Sequence, residues 1–221
     1  MSTMTIEDQV TCYPKIDTLF ERDPQTFKVT SQLRHPEFAA VDSWLVTEKI
    51  HGANIRIAVT PDRRILFGGR TDDAQLPPHL SRYLEQTFTR ERIDAAILEG
   101  EETVVLFGEG YGPKVQKGGG NYRADVSFRL FDVLVGRWWL TWGGVQDVAS
   151  KLGIETVPSF GVMSRADAMK LVSQPSIVAQ QDGGPGCTHE GIVARSEPLL
   201  LMRDGSRLVW KLKGKDFPEA K

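Results

Sequence analysis

Two β-rich runs, Trp44-Leu45-Val46-Thr47-Glu48 and Ile55-Arg56-Ile57-Ala58-Val59, stand on either side of Lys49-Ile50-His51-Gly52-Ala53-Asn54. β-branched residues and apolar alternation favour extended strands over helix. The glycine three residues after the lysine suits a tight turn. The pattern predicts paired strands over 44–48 and 54–59, with one lysine ammonium presented at the turn between them. A lysine held in that way suits covalent chemistry, provided other residues activate it.

The rest of the chain is read in the same terms. Residues 1–40 look irregular, broken at Tyr13-Pro14 and Asp23-Pro24. A third short strand is expected at 65–67, then a helix over about 79–98, where Leu80, Leu84, Phe88, Ile93 and Ile97 recur at near-helical intervals. Strands follow at 104–109 and 128–135, helices near 144–152 and 164–174, a loop over 175–188, and final strands at 191–195 and 207–213. Strands dominate and helices come singly between hairpins. This is an α+β class with mainly antiparallel sheets flanked by helices, not a βαβ repeat. No interior linker is visible, so one domain over 1–221 is expected.

Composition excludes some functions. No run approaches the roughly 18 apolar residues of a membrane span. Met1–Asp8 lacks a basic region followed by an apolar stretch, so no secretory signal is read. The only cysteines are Cys12 and Cys187. Their distance gives no zinc spacing and fits a reducing compartment, so a cytoplasmic location is expected. The net charge of −2 argues against coating nucleic acid by bulk charge but permits a local basic groove.

Charged residues then recur at strand ends. Arg70 follows Phe67-Gly68-Gly69, Glu109 ends the run 104–108, and Glu190 opens 191–195. Lys211 and Lys213 alternate with Trp210 and Leu212, so both lysines share one strand face. Any one of these could be a solvated surface residue. Together with Lys49-x-x-Gly52 and Phe131-Asp132 they form an ordered series: Lys49-x-x-Gly52, Phe107-Gly108-Glu109, Phe131-Asp132, Glu190-Gly191-x-Val193 and Lys211-x-Lys213.

This series resembles the signature of the covalent nucleotidyltransferases, the ATP-dependent DNA and RNA ligases and mRNA-capping enzymes. Within them it is most similar to RNA ligases of the RNA-ligase-2 type, in their small bacterial and phage form. Glu48-Lys49-Ile50-His51-Gly52-Ala53-Asn54, the opening Tyr13-Pro14-Lys15-Ile16 and the stretch Gly69-Arg70-Thr71-Asp72 carry that likeness. The resemblance implies an ATP-grasp-like nucleotidyltransferase (adenylylation) domain that uses ATP with Mg²⁺ or Mn²⁺. It implies RNA ends bearing a 5′-phosphate and a 3′-hydroxyl as substrate, within RNA repair. The motifs identify no partner chain.

The resemblance also implies roles. Lys49 attacks the α-phosphate of ATP, and Lys211 and Lys213 neutralise phosphates. Glu190 is the metal-associated carboxylate. Glu48, Ile50, Asn54, Arg70, Glu109, Phe131, Glu190, Arg195, Lys211 and Lys213 bind the nucleotide, with Glu109 on the ribose and Phe131 (or Phe128) stacked on adenine. His51 is tied to later steps, or is a structural histidine. The Gly-rich loop 110–120, with Lys114 and Lys117, lines a polynucleotide path or is a plain surface loop. Two departures stand out. Gly69 replaces a lysine often found before the Arg70 position, and no appended domain follows the Lys-x-Lys strand. A DNA ligase, a capping-type guanylyltransferase and a catalytically impaired RNA-end-binding homologue remain the alternatives.

Overall fold

The two runs that flank Lys49 do not pair with each other. In the computed structural model, which describes residues 12–97 and 100–216, the chain divides into two compact units. One is built from Lys15–Ile50 and Pro158–Lys221, the other from Met1–Pro14 and His51–Val157. The division falls between Ile50 and His51, inside the lysine motif. Each unit takes two separated stretches of chain, which is why no linker marks the boundary in the sequence.

The lysine-bearing unit holds a five-stranded sheet in the order β1 (Asp17–Thr18), β13 (Val209–Lys213), β12 (Gly191–Ser196), β4 (Trp44–Lys49), β11 (Ser159–Met163). β1 pairs parallel to β13 and the other pairs are antiparallel. A hairpin of β2 (Phe20–Arg22) and β3 (Val29–Leu33), and helices α1 (Glu37–Ala40), α5 (Arg165–Lys170) and α6 (Ile177–Gln181), complete the unit. Strand alternation sends Trp44, Val46, Ile192, Ala194, Trp210 and Leu212 into one buried cluster with Ala168 and Val172. The Trp44 and Trp210 ring centroids lie 5.5 Å apart. Each fully buried aliphatic side chain contributes about 1.5–3 kcal/mol. A slip of one residue would bury the lysines and expose the tryptophans, so this face sets the register.

The second unit has a sheet ordered β10 (Glu155–Thr156), β8 (Ser127–Val135), β7 (Val104–Tyr111), β5 (Ala53–Val59), β6 (Ile65–Gly68), with β9 (Trp138–Trp139) on β8. One face packs Ile55, Ile57, Leu106 and Val133 against Leu80 and Leu84 of α2 (Pro78–Thr87), Ile93 of α3 (Arg90–Ala96) and Val145 and Leu152 of α4 (Trp142–Leu152). The other face carries a smaller cluster of Ala58, Val105, Phe107 and Leu134, with Tyr13, Phe131 and Trp139 against it.

Several elements differ from expectation. The helix expected over 79–98 is two helices, because the Thr89 hydroxyl accepts the Arg92 amide and caps a new start; position 98 lies outside the described residues. Residues 175–188 contain α6, and residues 1–40 contain three short strands and α1. The reading of Met1–Asp8 lies outside the described residues. The glycine-rich stretch begins as strand, β7 running through Tyr111, and continues as consecutive turns that include the 3-10 turn Gly119–Asn121. Among the described residues no helix is long and apolar enough to cross a membrane.

Candidate active site

Lys49 is the last residue of β4. It stands opposite Gly191 on β12, and Gly191 stands opposite Lys213 on β13. A Cβ on Gly191 would sit 2.0 Å from the Leu212 carbonyl oxygen, so only glycine fits between the two lysines. Both ammonium groups end on one carboxylate. Lys49 Nζ pairs with Glu190 Oε2, and Lys213 Nζ donates to Oε1 at 2.6 Å. The Glu190 backbone is held on both sides as well. Its amide donates to the Lys49 carbonyl at 3.1 Å, and its carbonyl accepts from Gly214 at 3.0 Å.

Burial alone would raise the Glu190 carboxyl. The charge of Lys49, then the hydrogen bonds from Lys213 and Lys49 and the charge of Lys213, outweigh burial and hold it below the usual glutamate range. Period-two alternation puts Lys211 beside Lys213 and Arg195 on the Gly191 side of β12. Lys49, Arg195, Lys211 and Lys213 therefore share one sheet face, where Glu190 brings a carboxylate to Lys49 and Lys213. Such a face favours a polyanion.

Glu48 faces the other way, as strand alternation requires. It is buried, and its carboxylate accepts from Ser176 Oγ at 2.5 Å and from the amides of Ile177 and Val178 at 2.8 and 3.2 Å. Ser176 Oγ in turn accepts the Ala179 amide at 3.0 Å. Glu48 thus anchors the first turn of α6 to the strand that ends in Lys49, and its side chain is committed there. Its amide donates to the Pro158 carbonyl at 2.9 Å. Ile50 is buried at the end of the same segment.

The second unit contributes a different set. Asn54 stands opposite Glu109, and Glu109 opposite Arg129, in a row across β5, β7 and β8. Glu109 Oε1 accepts the Gly52 amide at 3.0 Å, and the Tyr122 hydroxyl accepts the His51 amide at 3.2 Å. A Cβ at Gly52 would lie 2.2 Å from the Gly110 carbonyl oxygen, which explains the glycine of the lysine motif. Asn54 Oδ1 is buried and meets no hydrogen-bond donor among the described residues. A buried acceptor left open in this way calls for a partner, either a water or a ligand group.

β8 carries a bulge here: Phe107 pairs with Asp132 and Gly108 with Leu130, leaving Phe131 as the extra residue. Phe131 is half-buried and meets the Tyr13 ring edge-on at 5.1 Å, on the sheet face of Phe107 and Glu109. Phe128 lies in the main core, edge-on to Phe88 at 5.3 Å, which removes it as a stacking surface. Arg70, Lys114 and Lys117 are exposed. The sequence reading missed Arg129, which is buried and donates to the Tyr111 hydroxyl at 3.0 Å and the Thr156 carbonyl at 3.2 Å. Its signal was an arginine inside the apolar run Phe128-Arg129-Leu130-Phe131.

The profile of the RNA ligase family matches residues 42–213. The chain belongs to the RNA ligase family. Solved structures share its fold. A Naegleria gruberi RNA ligase with ATP and Mn superposes with a TM-score of 0.62 at 17% identity, over 95% of this chain and 64% of that one. A second form of the Naegleria enzyme with ATP and Mn gives 0.64 at 18%, over 94% and 62%. An archaeal ATP-dependent RNA ligase gives 0.61 at 18%, over 94% and 49%. This chain thus spans less than two thirds of the length of these relatives. No curated protein matches it.

The donor set limits the metal this chain could hold. No three His, Cys, Asp or Glu side chains gather among the described residues. Among the described residues an all-protein metal cage does not fit. Magnesium held by one carboxylate, phosphate oxygens and water does fit, with Glu190 as the carboxylate. The Gly69 departure has a packing reason, since a Cβ there would lie 2.7 Å from the Ala74 Cβ.

Proposed function

We propose that this protein is an ATP-dependent RNA ligase working through a lysyl-AMP intermediate. The observation that carries the reading is the meeting of Lys49 and Lys213 on Glu190 across Gly191, with Lys211 and Arg195 on the same face. That face supplies one amine nucleophile, three further cations for a triphosphate and one carboxylate for a divalent ion.

Lys49 must first leave Glu190 and lose a proton to solvent, because only a neutral amine attacks phosphorus. Its Nζ then forms a P–N bond to the α-phosphorus while the bond to the β-phosphate oxygen breaks and pyrophosphate departs. Lys211 and Lys213 neutralise the phosphate oxygens as charge shifts to the leaving group. Mg²⁺ or Mn²⁺ at Glu190 would add charge neutralisation on the phosphates. AMP passes next to an RNA 5′-phosphate, and a 3′-hydroxyl displaces it to seal the strand.

In the second unit, Asn54 and Glu109 are assigned to nucleotide recognition, Phe131 to the adenine face and Arg70 to phosphate. Ile50 and the Glu48 main chain, next to the nucleophile, are assigned to the nucleotide as well. A cytoplasmic location accords with Cys12 and Cys187 lying outside any disulfide, and RNA repair is the role assigned there.

Incubation with ATP labelled at the α-phosphate and Mg²⁺, followed by a denaturing gel, tests the reading. Label should stay on the wild type and be absent from Lys49→Ala. No label on the wild type, or label on both, would overturn it. Nicked RNA, hybrid and DNA duplexes compared side by side then separate RNA sealing from DNA sealing.

A further inference from the structure

We infer that His189 is a positioning residue that seats Glu190. It acts through the backbone and does not touch the substrate. The assignment rests on the ligase reading for its meaning, but its geometry stands alone.

His189 is buried, and both ring nitrogens meet main-chain carbonyls. Nδ1 lies 2.5 Å from the Gly191 oxygen and Nε2 lies 2.8 Å from the Leu171 oxygen. The ring lies between two elements, the start of β12 and the residue after α5, and a neutral imidazole donates to one of the two carbonyls at a time. The His189 amide adds a bond to the Gln174 carbonyl at 3.3 Å. Just beyond, Ser176 donates to the Cys187 carbonyl at 2.8 Å.

The location gives this strut its importance. Glu190 is the single residue between His189 and Gly191. Gly191 has no side chain and admits none, so it has no packing anchor of its own. The imidazole supplies that anchor from the side. With the His189 ring held between the Gly191 and Leu171 carbonyls, and the Glu190 main chain bonded to Lys49 and Gly214, the backbone that carries the carboxylate is fixed beside the lysines. Glu48 braces the neighbouring strand through the same stretch of chain, at Ser176–Val178.

Two variants and two readouts test this. His189→Leu keeps bulk and removes both polar ends, while His189→Gln keeps one. The first readout is the Mg²⁺ concentration that half-saturates labelling by ATP. Groups that orient a metal ligand typically change metal affinity by about 10–100-fold, so His189→Leu should raise this concentration at least about tenfold, and His189→Gln should recover part of the loss. The second readout needs neither ATP nor metal. Reductive methylation followed by peptide mass spectrometry should show Lys49 and Lys213 reacting several-fold faster in His189→Leu, with exposed Lys151 unchanged. A folded His189→Leu protein with wild-type Mg²⁺ dependence and wild-type Lys49 methylation overturns the proposal. If the wild type takes no label, the ligase reading fails and methylation still decides the role of His189. If circular dichroism shows His189→Leu unfolded, the same two readouts on His189→Gln decide.

Discussion

Glu190 and Lys49 are joined twice: the Glu190 amide donates to the Lys49 carbonyl at 3.1 Å, and the Glu190 carboxylate pairs with the Lys49 ammonium. The backbone bond brings the two Cα atoms to neighbouring strands, so the side-chain pair forms without a search. Glu190→Gln keeps the shape and removes the charge that faces both lysines. Its labelling rate with α-labelled ATP should fall by about 100-fold or more, the scale for a charged group lost from a phosphoryl-transfer site.

The same pair predicts a pH dependence. Glu190 sits below the ordinary glutamate value of 4.5. A depressed carboxyl stabilises the fold fully above its unfolded value, and that contribution is lost as pH falls through the lower folded value. Wild type should melt above Glu190→Gln at neutral pH, and the gap should shrink below pH 4.5. A gap that widens in acid would reverse the sign of the effect.

Lys213 and Lys215 should separate cleanly. Lys213 ends β13 and reaches Glu190, whereas Lys215 lies in the 3-10 turn Gly214–Asp216 that follows. Lys213→Met should slow lysyl-AMP formation by about tenfold or more. Lys215→Met should label at the wild-type rate, as read from single-turnover gels.

Glu48 is a stability residue as well as the neighbour of Lys49. Glu48→Ala leaves the Ser176 hydroxyl and the Ile177 and Val178 amides without their acceptor. Each buried donor left open costs about 1–3 kcal/mol, and relaxation of the helix end that re-satisfies part of the set brings the total back toward the cost of one. Urea unfolding should show a loss of that size.

Phe27 makes the opposite case. It is 72% exposed and holds a φ of 56°, a conformation that costs an L-residue about 1–2 kcal/mol. Phe27→Gly removes that cost without emptying a core. The urea midpoint should rise.

Much of the site was legible because its signals are local. Alternation in Val209-Trp210-Lys211-Leu212-Lys213 is enough to put both lysines on one face, and the buried partners Trp210 and Leu212 bear this out. The α+β class followed from the same periodicities. Other features were not legible. The runs 44–48 and 54–59 look like a hairpin, yet the first pairs with β12 and β11 and the second with β6 and β7. Arg129 and His189 carry no motif, and their partners are a tyrosine hydroxyl and carbonyls that sequence spacing does not reveal.

By itself, the sequence determined the nucleophile candidate, the ordered carboxylates and lysines, and the face each occupies on its own strand. These depend only on residue type and on the two-residue period of an extended chain. Only the tertiary structure decided that Lys49 and Glu190, 141 positions apart, are neighbours, that Gly191 separates the lysines and that Glu48 turns inward to a helix. Strand partnership and register are chosen by which apolar faces can be buried together, and that choice belongs to the whole chain.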